Sequence, residues 1–423
     1  MEFLRNKVYK GLRASEKYTQ TDMVYLAKGG FWLNSAQVLT ALSSFLLALL
    51  FARLIPKEVY GNYKYILSLA GIAATFSLTG ISAGILQAVA RGYTGTFIQA
   101  TKVLVKWNSL IFVFSLIGAL YYFSNGNSTL GYGFIIIALL FPAIRTFETY
   151  EAYLSGKRDF RRSAIYRAIV DIGTIAATAC ALLFTESPLM LVAVNLFTQF
   201  VLDALFFWKI YTSIPSEEKT KIEPGIIEFS KHLSFQNVLN NVASYIDKIL
   251  IFHYLGAAQV AIYTFATALP QQVKGLISNI VLMITPKIAQ RSAKDATSLV
   301  EKRFWMSLFI LVPVVVLYII FSPFIFKVLF PAYTDAVPYT QWYALVLLLM
   351  GNLSGLVLTT QKAAKEQYII TTFGSVSQIV LMLILVHSFG IMGIIWAYLI
   401  SKYLTAILSY ALVKRFAKLS ISL

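Results

Sequence analysis

Apolar runs of about twenty residues recur along nearly the whole chain, at approximately 30–54, 61–88, 103–124, 131–155, 163–184, 188–209, 230–255, 258–286, 303–327, 337–360, 367–387 and 390–413. An α-helix needs a run of that length to cross the hydrocarbon core of a bilayer. Lipid offers no partners to backbone N–H and C=O groups, so such a chain must satisfy them inside helices. Composition agrees. Hydrophobic residues make up 58% of the chain and charged residues 13%, well below the ~25% charged of soluble domains. Mean hydropathy is +0.70. The expected fold is an all-α polytopic membrane protein with about twelve transmembrane helices.

The amino terminus, MEFLRNKVYKGLRASEKYTQTD, is basic and polar. It lacks the apolar core and small-residue cleavage site of a signal peptide. The single cysteine, Cys180, leaves no intramolecular disulfide and no cysteine-based metal cluster. No metal and no cofactor is expected. The net charge of +17 raises the question of nucleic acid, but the cations are scattered through short loops rather than stacked on one face. No nucleic-acid partner is expected. The positive-inside rule places these cations instead. With the amino terminus in the cytoplasm, most of the 36 Lys and Arg residues fall on cytoplasmic segments. They include Arg5, Lys7, Lys10, Arg13, Lys17 and Lys28, then Lys157, Arg158, Arg161 and Arg162, then Lys287, Arg291, Lys294, Lys302 and Arg303, and finally Lys414, Arg415 and Lys418. The opposite face holds only Arg53, Lys57 and Lys327. Both termini are therefore expected in the cytoplasm, with an even number of spans.

The longest connector, 211–225, is polar and carries Pro215 and Pro224. It follows the sixth run and divides the chain into a basic segment 1–28, an N-lobe 29–210, the cytoplasmic linker 211–225, a C-lobe 226–416 and a tail 417–423. The two halves match without a gap at an offset of 200, as in LFARLIPKEVYGNYKYILSL (50–69) over LIFHYLGAAQVAIYTFATAL (250–269). In this register Leu50 meets Leu250, Tyr63 meets Tyr263, Ser44 meets Ser244 and Gln37 meets Asn237. Equivalent helices then point the same way, as parallel repeats about an axis along the membrane normal. In transporters built so, the substrate site lies between the halves near the midplane.

Lys64, Lys106, Arg145, Arg167, Lys248, Lys274 and Lys402 stand inside the expected spans. A charge at the bilayer centre costs on the order of 3 kcal/mol by insertion scales. Lys64 and Lys106 lie near helix ends and can snorkel. Arg167 has Asp171 at a helical ion-pair spacing. Asn237, Asn241, Ser244 and Lys248 form one stripe of the seventh helix, flanked by Asn240 and Asp247. Thr267, Gln271, Lys274 and Ser278 repeat the device on the eighth, and Asn34, Gln37 and Ser44 do so more mildly on the first. Such stripes must face protein or water rather than lipid. They line a hydrated central cavity, or they join helices by hydrogen bonds. Arg145, Glu148 and Glu151 add a charged wall to the first reading. Asp247 and Lys248 are neighbours about 100° apart on the helix, so one can face the cavity and the other an adjoining helix.

No GxxxxGK[ST], HExxH, CxxC or GxSxG motif occurs. Loops on the face opposite the cytoplasm are short and hold few acids, namely Glu58, Glu186 and Asp335. An enzyme is not expected. A membrane polysaccharide polymerase or ligase would need a large loop there, and a cation-exporting multidrug transporter would need an acidic cavity.

Asp247, then Leu255-Gly256, then Tyr263 resembles the mid-chain signature of the Wzx-type polysaccharide flippases. LLFARLIPKEVYGNYKYILSL with Gly61 and Tyr63, Pro286-Lys287, LFPAYTDAVPY (329–339) and GIMGIIWAYLIS (390–401) extend the likeness over nearly the whole chain. Pro56 and Ala261 depart from the family's glycines. The resemblance implies the multidrug/oligosaccharidyl-lipid/polysaccharide exporter superfamily, with two six-helix lobes in a V around a central cavity. It implies flipping of an undecaprenyl-pyrophosphate-linked oligosaccharide across the bacterial inner membrane by alternating access, for O-antigen, capsule or exopolysaccharide synthesis. Lys248, Lys274 and Arg145 would then meet the pyrophosphate, and Gln37, Asn237, Asn241, Ser244 and Gln271 the sugars. Asp247 or Glu148 would titrate if H+ or Na+ is coupled. Implied partners are the lipid-linked oligosaccharide, membrane lipids, and a polysaccharide polymerase with its chain-length regulator.

Overall fold

The apolar runs fold as helices in a computed structural model that describes residues 23–289, 293–361 and 363–419, with side chains described over 35–275, 304–361 and 363–417. The segment 1–28, Asn34, Ser278, the 287–303 cation cluster and the residues from Lys418 on fall outside the described side chains. The described residues hold helices and turns and no strand. Among them, seven helices are long and apolar enough to cross a membrane, or nine if each bent pair is one span.

The first half comprises α1 (Met23–Leu54), α2 (Lys57–Ala73), α3 (Ile81–Ala90), α4 (Thr96–Trp107), α5 (Ser109–Ser124), α6 (Ser128–Phe147), α7 (Tyr150–Gly156), α8 (Phe160–Leu182) and α9 (Pro188–Ser213). The second comprises α10 (Ile226–Leu255), α11 (Ala257–Ala289), α12 (Ala293–Leu329), α13 (Val337–Ala344), α14 (Ser354–Thr360) and α15 (Ala364–Leu419), with short 3-10 turns at Pro331–Ala336 and Leu345–Gly351. Local signals set several starts. Asp159 and Ser187 cap α8 and α9 through their side chains, and Pro188 occupies the first turn of α9. α2 begins at Lys57 and α11 at Ala257, the offset of the sequence repeat. α15 breaks at Gly390, whose φ of 56° suits a residue without a Cβ.

Two expected spans, 61–88 and 337–360, are not straight. Lys57–Phe76 and Ile81–Ala90 meet at 59°, and Pro331–Gly351 and Ser354–Thr360 at 41°. Hydropathy does not reveal such a break, because it takes at most four residues inside an otherwise apolar run. Non-helical backbone at this depth must be satisfied by protein. At the first bend the buried Asn108 does this work: its Oδ1 accepts from Ser77 Oγ at 2.6 Å, and its Nδ2 donates to Thr146 Oγ1 at 2.9 Å and to the Pro142 carbonyl at 3.1 Å. At the second, Asn352 Nδ2 donates to the Ala406 carbonyl at 3.3 Å and its Oδ1 accepts from the Ser354 amide at 3.0 Å.

Within the first half, α1 packs on α8, and α9 on both α6 and α8; within the second, α15 packs on α10 and α14. α2 and α3 form the seam between halves, with α2 against α10 and α11 and α3 against α10. Gly80 permits a close approach of the start of α3 to α10. A Cβ there would stand 2.6 Å from Leu233 Cβ and from the Ser230 carbonyl oxygen. Further along, Tyr65 stacks on Phe252 with centroids 3.7 Å apart. On the other flank α1 meets the 3-10 turn Pro331–Ala336, next to which Phe45 lies edge-on to Phe330. Beside it Lys57 Nζ reaches Asp335 at 2.9 Å.

The connector 214–225 is docked rather than loose. Glu218 accepts from Lys157 Nζ at 3.0 Å, its carbonyl accepts from Thr94 Oγ1 at 3.0 Å, and Glu223 pairs with Arg91. The Lys157 hydrogen bond holds the Glu218 carboxyl below its ordinary range. A folded-state pKa below the unfolded one means that this contact stabilises above the unfolded value and is lost as pH falls through the folded one. Amide exchange over 214–225, corrected for intrinsic rates, is therefore expected to accelerate below the ordinary carboxylate range. Glu218→Gln should show the faster exchange already at neutral pH. Equal exchange in both proteins at every pH would remove the clamp.

Candidate functional site

On α10, Asn237, Asn241 and Lys248 are half-buried and Ser244 is exposed. The Ser244 hydroxyl donates to its own helix, to the Asn240 carbonyl at 2.7 Å. Asp247 is buried and turned to α11, where its Oδ2 accepts from the Tyr263 hydroxyl at 2.8 Å. Lys248 Nζ lies 3.5 Å from Asp247 Oδ1 and 5.9 Å from the Tyr263 ring centre. The adjacent charges thus have separate tasks: the carboxylate joins α10 to α11, and the ammonium, longer and less buried, bends back over the pair. Lys64 of α2 also approaches from the first half. Its ammonium lies 5.5 Å and 5.6 Å from the ring centres of Tyr60 and Tyr63 and repels Lys248.

The repeat makes the contrast specific. Leu47 and Ala48 occupy the places of Asp247 and Lys248, and both pack on the apolar core. Tyr63, the counterpart of Tyr263, stacks on Phe51 with centroids 5.0 Å apart.

Further along α11, Thr267 donates to the Tyr263 carbonyl at 3.1 Å. Gln271 is exposed, and its Nε2 donates to the Tyr343 hydroxyl at 3.2 Å. Lys274 Nζ donates to the Tyr398 hydroxyl at 3.3 Å. Tyr343 of α13 and Tyr398 of α15 stack at 5.3 Å with planes 12° apart, and Lys402 Nζ lies 5.2 Å from the Tyr398 ring centre. The second half therefore gathers Lys248, Lys274 and Lys402, one carboxylate, and a row of phenol and amide groups. Such a surface can hold an anion by charge-assisted hydrogen bonds and a sugar by stacking and hydrogen bonding. Tyr343 and Tyr398 escape sequence reading, because nothing separates them from the other tyrosines among the 25.

Arg145 and Glu148 stand in a different cluster. Arg145 pairs with Glu148 at 2.5 Å, and Arg167 bridges Glu151 at 3.0 Å and Asp171 at 2.9 Å. The i,i+4 pair expected of Arg167 and Asp171 is present, with Glu151 as a third member. Gln37 is exposed on α1. A cavity of about 500 Å³ between α1 and α8 is lined by Ser35, Leu39, Ala164 and Ile169 among others and is almost wholly apolar, which unsuits it to a charged head group.

Residues 26–292 match the family model described as "Polysaccharide biosynthesis protein". The chain is 20% identical to the "Putative O-antigen transporter" of Shigella flexneri over 296 residues, covering 66% of this chain and 70% of that one. Among solved structures, the inward-facing conformation of a multidrug resistance MATE family transporter of the MOP superfamily matches with a TM-score of 0.72 at 14% identity, over 92% of this chain and 98% of that one. The outward-facing conformation of such a transporter matches with a TM-score of 0.65 at 15% identity, over 92% and 96%. A MOP superfamily transporter from Pyrococcus furiosus, whose structure is described as having a binding pocket of reverse polarity, matches with a TM-score of 0.63 at 15% identity, over 93% and 95%. This multi-pass membrane chain has the fold of the MOP-superfamily transporters and belongs to the polysaccharide biosynthesis protein family.

Proposed function

We propose that the protein flips an undecaprenyl-pyrophosphate-linked oligosaccharide across the bacterial inner membrane, from the cytoplasmic to the outer leaflet, by alternating access of two six-helix lobes. One observation carries this reading: in the second half Lys274 and Lys402 meet at Tyr398 of the Tyr343–Tyr398 stack, and Lys248 lies with the single carboxylate of Asp247 at Tyr263. Three ammonium groups against one carboxylate suit a pyrophosphate, and Gln271, Asn237 and Asn241 suit sugar hydroxyls. A cation exporter would want the opposite balance. The lipid tail stays in the bilayer while the head group crosses. The charge pattern puts the Lys57–Asp335 pair and the Phe45–Phe330 contact on the outer side, so the arrangement supports a pathway closed outward and loaded from the cytoplasm. If H+ or Na+ is coupled, Asp247 or Glu148 would be the titrating group, and the product would pass to a polymerase and its chain-length regulator.

The test is flipping of fluorescent lipid-linked oligosaccharide in proteoliposomes. The expected result is transport above empty liposomes, and more for the lipid-linked oligosaccharide than for a cationic drug. A folded protein that moves neither the lipid-linked oligosaccharide nor its pyrophosphate-linked disaccharide analogue refutes the reading.

A further inference from the structure

Among the described residues, one buried carboxylate in the first half has no ion pair. Asp203, on α9, is only 2% exposed. Its Oδ1 accepts a long 3.4 Å hydrogen bond from the Tyr150 hydroxyl, and its Oδ2 has no hydrogen-bond partner. Glu148, at the end of α6, Glu151 and Tyr150 of α7, and Arg167 of α8 all act on it electrostatically. Arg145 and Asp171 complete the cluster through their pairs with Glu148 and Arg167. Lys209, farther along α9, lies over the Tyr166 ring at 5.3 Å and makes no ion pair with Asp203.

The charge balance is the point. Four carboxylates, of Glu148, Glu151, Asp171 and Asp203, meet two guanidinium groups, of Arg145 and Arg167. Both guanidinium groups are already engaged, Arg145 by Glu148 and Arg167 by Glu151 and Asp171. An ionised carboxylate buried without its own cation costs several kcal/mol, and like charges beside it raise that cost. A bound cation would remove it. Among the described residues, no three His, Cys, Asp or Glu side chains are arranged to hold a metal ion. The proton is the cation that needs one oxygen and no coordination shell.

We propose that Asp203 is a proton-binding site, with an exchangeable proton on Oδ2 while Tyr150 donates to Oδ1. Binding takes one proton from water and turns the carboxylate into a carboxylic acid; release returns it. Once ionised, Asp203 must compete for a guanidinium. Arg167 is the one that acts on it, so proton loss draws Arg167 away from Glu151 and Asp171. Proton occupancy is thereby tied to the packing of α7, α8 and α9. The proposal is independent of the cargo.

Infrared difference spectroscopy on the purified full-length protein tests it without transport. At neutral pH the wild type is expected to show the carbonyl band of a protonated buried carboxyl, moving in D2O, and Asp203→Asn to lose it. Asn keeps the size and shape of a protonated Asp, so the variant is expected to fold. Tyr150→Phe provides a second readout: loss of the hydroxyl should move the band's frequency, whatever the fate of the Asn variant. A wild type without the band, an Asp203→Asn protein that retains it undiminished, or an unmoved band in Tyr150→Phe would each overturn the assignment.

Discussion

Replacing Lys248 or Lys274 by alanine is expected to lower the flipping rate in proteoliposomes about tenfold or more, with normal expression. Each ammonium would give the pyrophosphate a charge-assisted hydrogen bond of about 1.5–3 kcal/mol, and about 1.4 kcal/mol corresponds to a factor of ten. The two losses have different structural consequences. Lys248→Ala leaves Asp247 bonded to Tyr263 but removes the cation beside it. Lys274→Ala removes a donor to the Tyr398 hydroxyl while the Tyr343–Tyr398 stack survives. Lys248→Arg should retain more activity than Lys248→Ala, because it keeps the charge. Lys106, exposed on α4, is the control, and Lys106→Ala should flip at the wild-type rate. Normal flipping in both Lys248→Ala and Lys274→Ala would place the head group elsewhere.

The second large effect is expected at the seam. A Cβ on Gly80 meets Leu233 Cβ and the Ser230 carbonyl at 2.6 Å and the Ser234 amide nitrogen at 2.9 Å. Two of these are backbone atoms, which cannot rotate away. The Gly80 amide also donates to Ser234 Oγ at 2.9 Å, so any shift of α3 loses that bond. Gly80→Ala should destabilise the protein by about 1–3 kcal/mol, the usual cost of overpacking. Gly355, in α14, has open space where its Cβ would stand. Gly355→Ala should be neutral or stabilising by up to ~1 kcal/mol through helix propensity. Thermal unfolding in detergent separates the two, with a lower midpoint expected for Gly80→Ala alone. Equal midpoints would mean that the two halves part easily along α3 and α10.

Gly80 also shows where sequence reading stops. In LTGISAGILQ it looks like a glycine in an apolar run, and the run itself was legible as a span. The 59° bend was not. Its causes are Ser77, Gly80 and an asparagine 31 residues away from Ser77, each unremarkable alone. The stripe on α10 was legible, because helical periodicity puts Asn237, Asn241, Ser244 and Lys248 on one face. Which groups that face meets was not legible. Asp247 finds Tyr263, 16 residues on, and Gln271 finds Tyr343, 72 residues on. Charge alone groups Arg145 with the lysines, and the fold also pairs it with Glu148. The sequence does not single out Asp203, because a single carboxylate in VNLFTQFVLDALFFWKI has no periodic partner.

The sequence by itself determined the solvent, the secondary structure, the register of the two halves and the resemblance to a transporter family. These follow from hydropathy, helical period and short motifs, which are properties of neighbouring residues. Only the tertiary structure decided that Asp247 ties α10 to α11, that Lys274 and Lys402 meet at Tyr398, and that Asp203 is buried beside two other carboxylates. In lipid, helices have no hydrophobic drive to associate, so packing of small residues and polar contacts choose the partners. That choice depends on how surfaces far apart in the chain fit together.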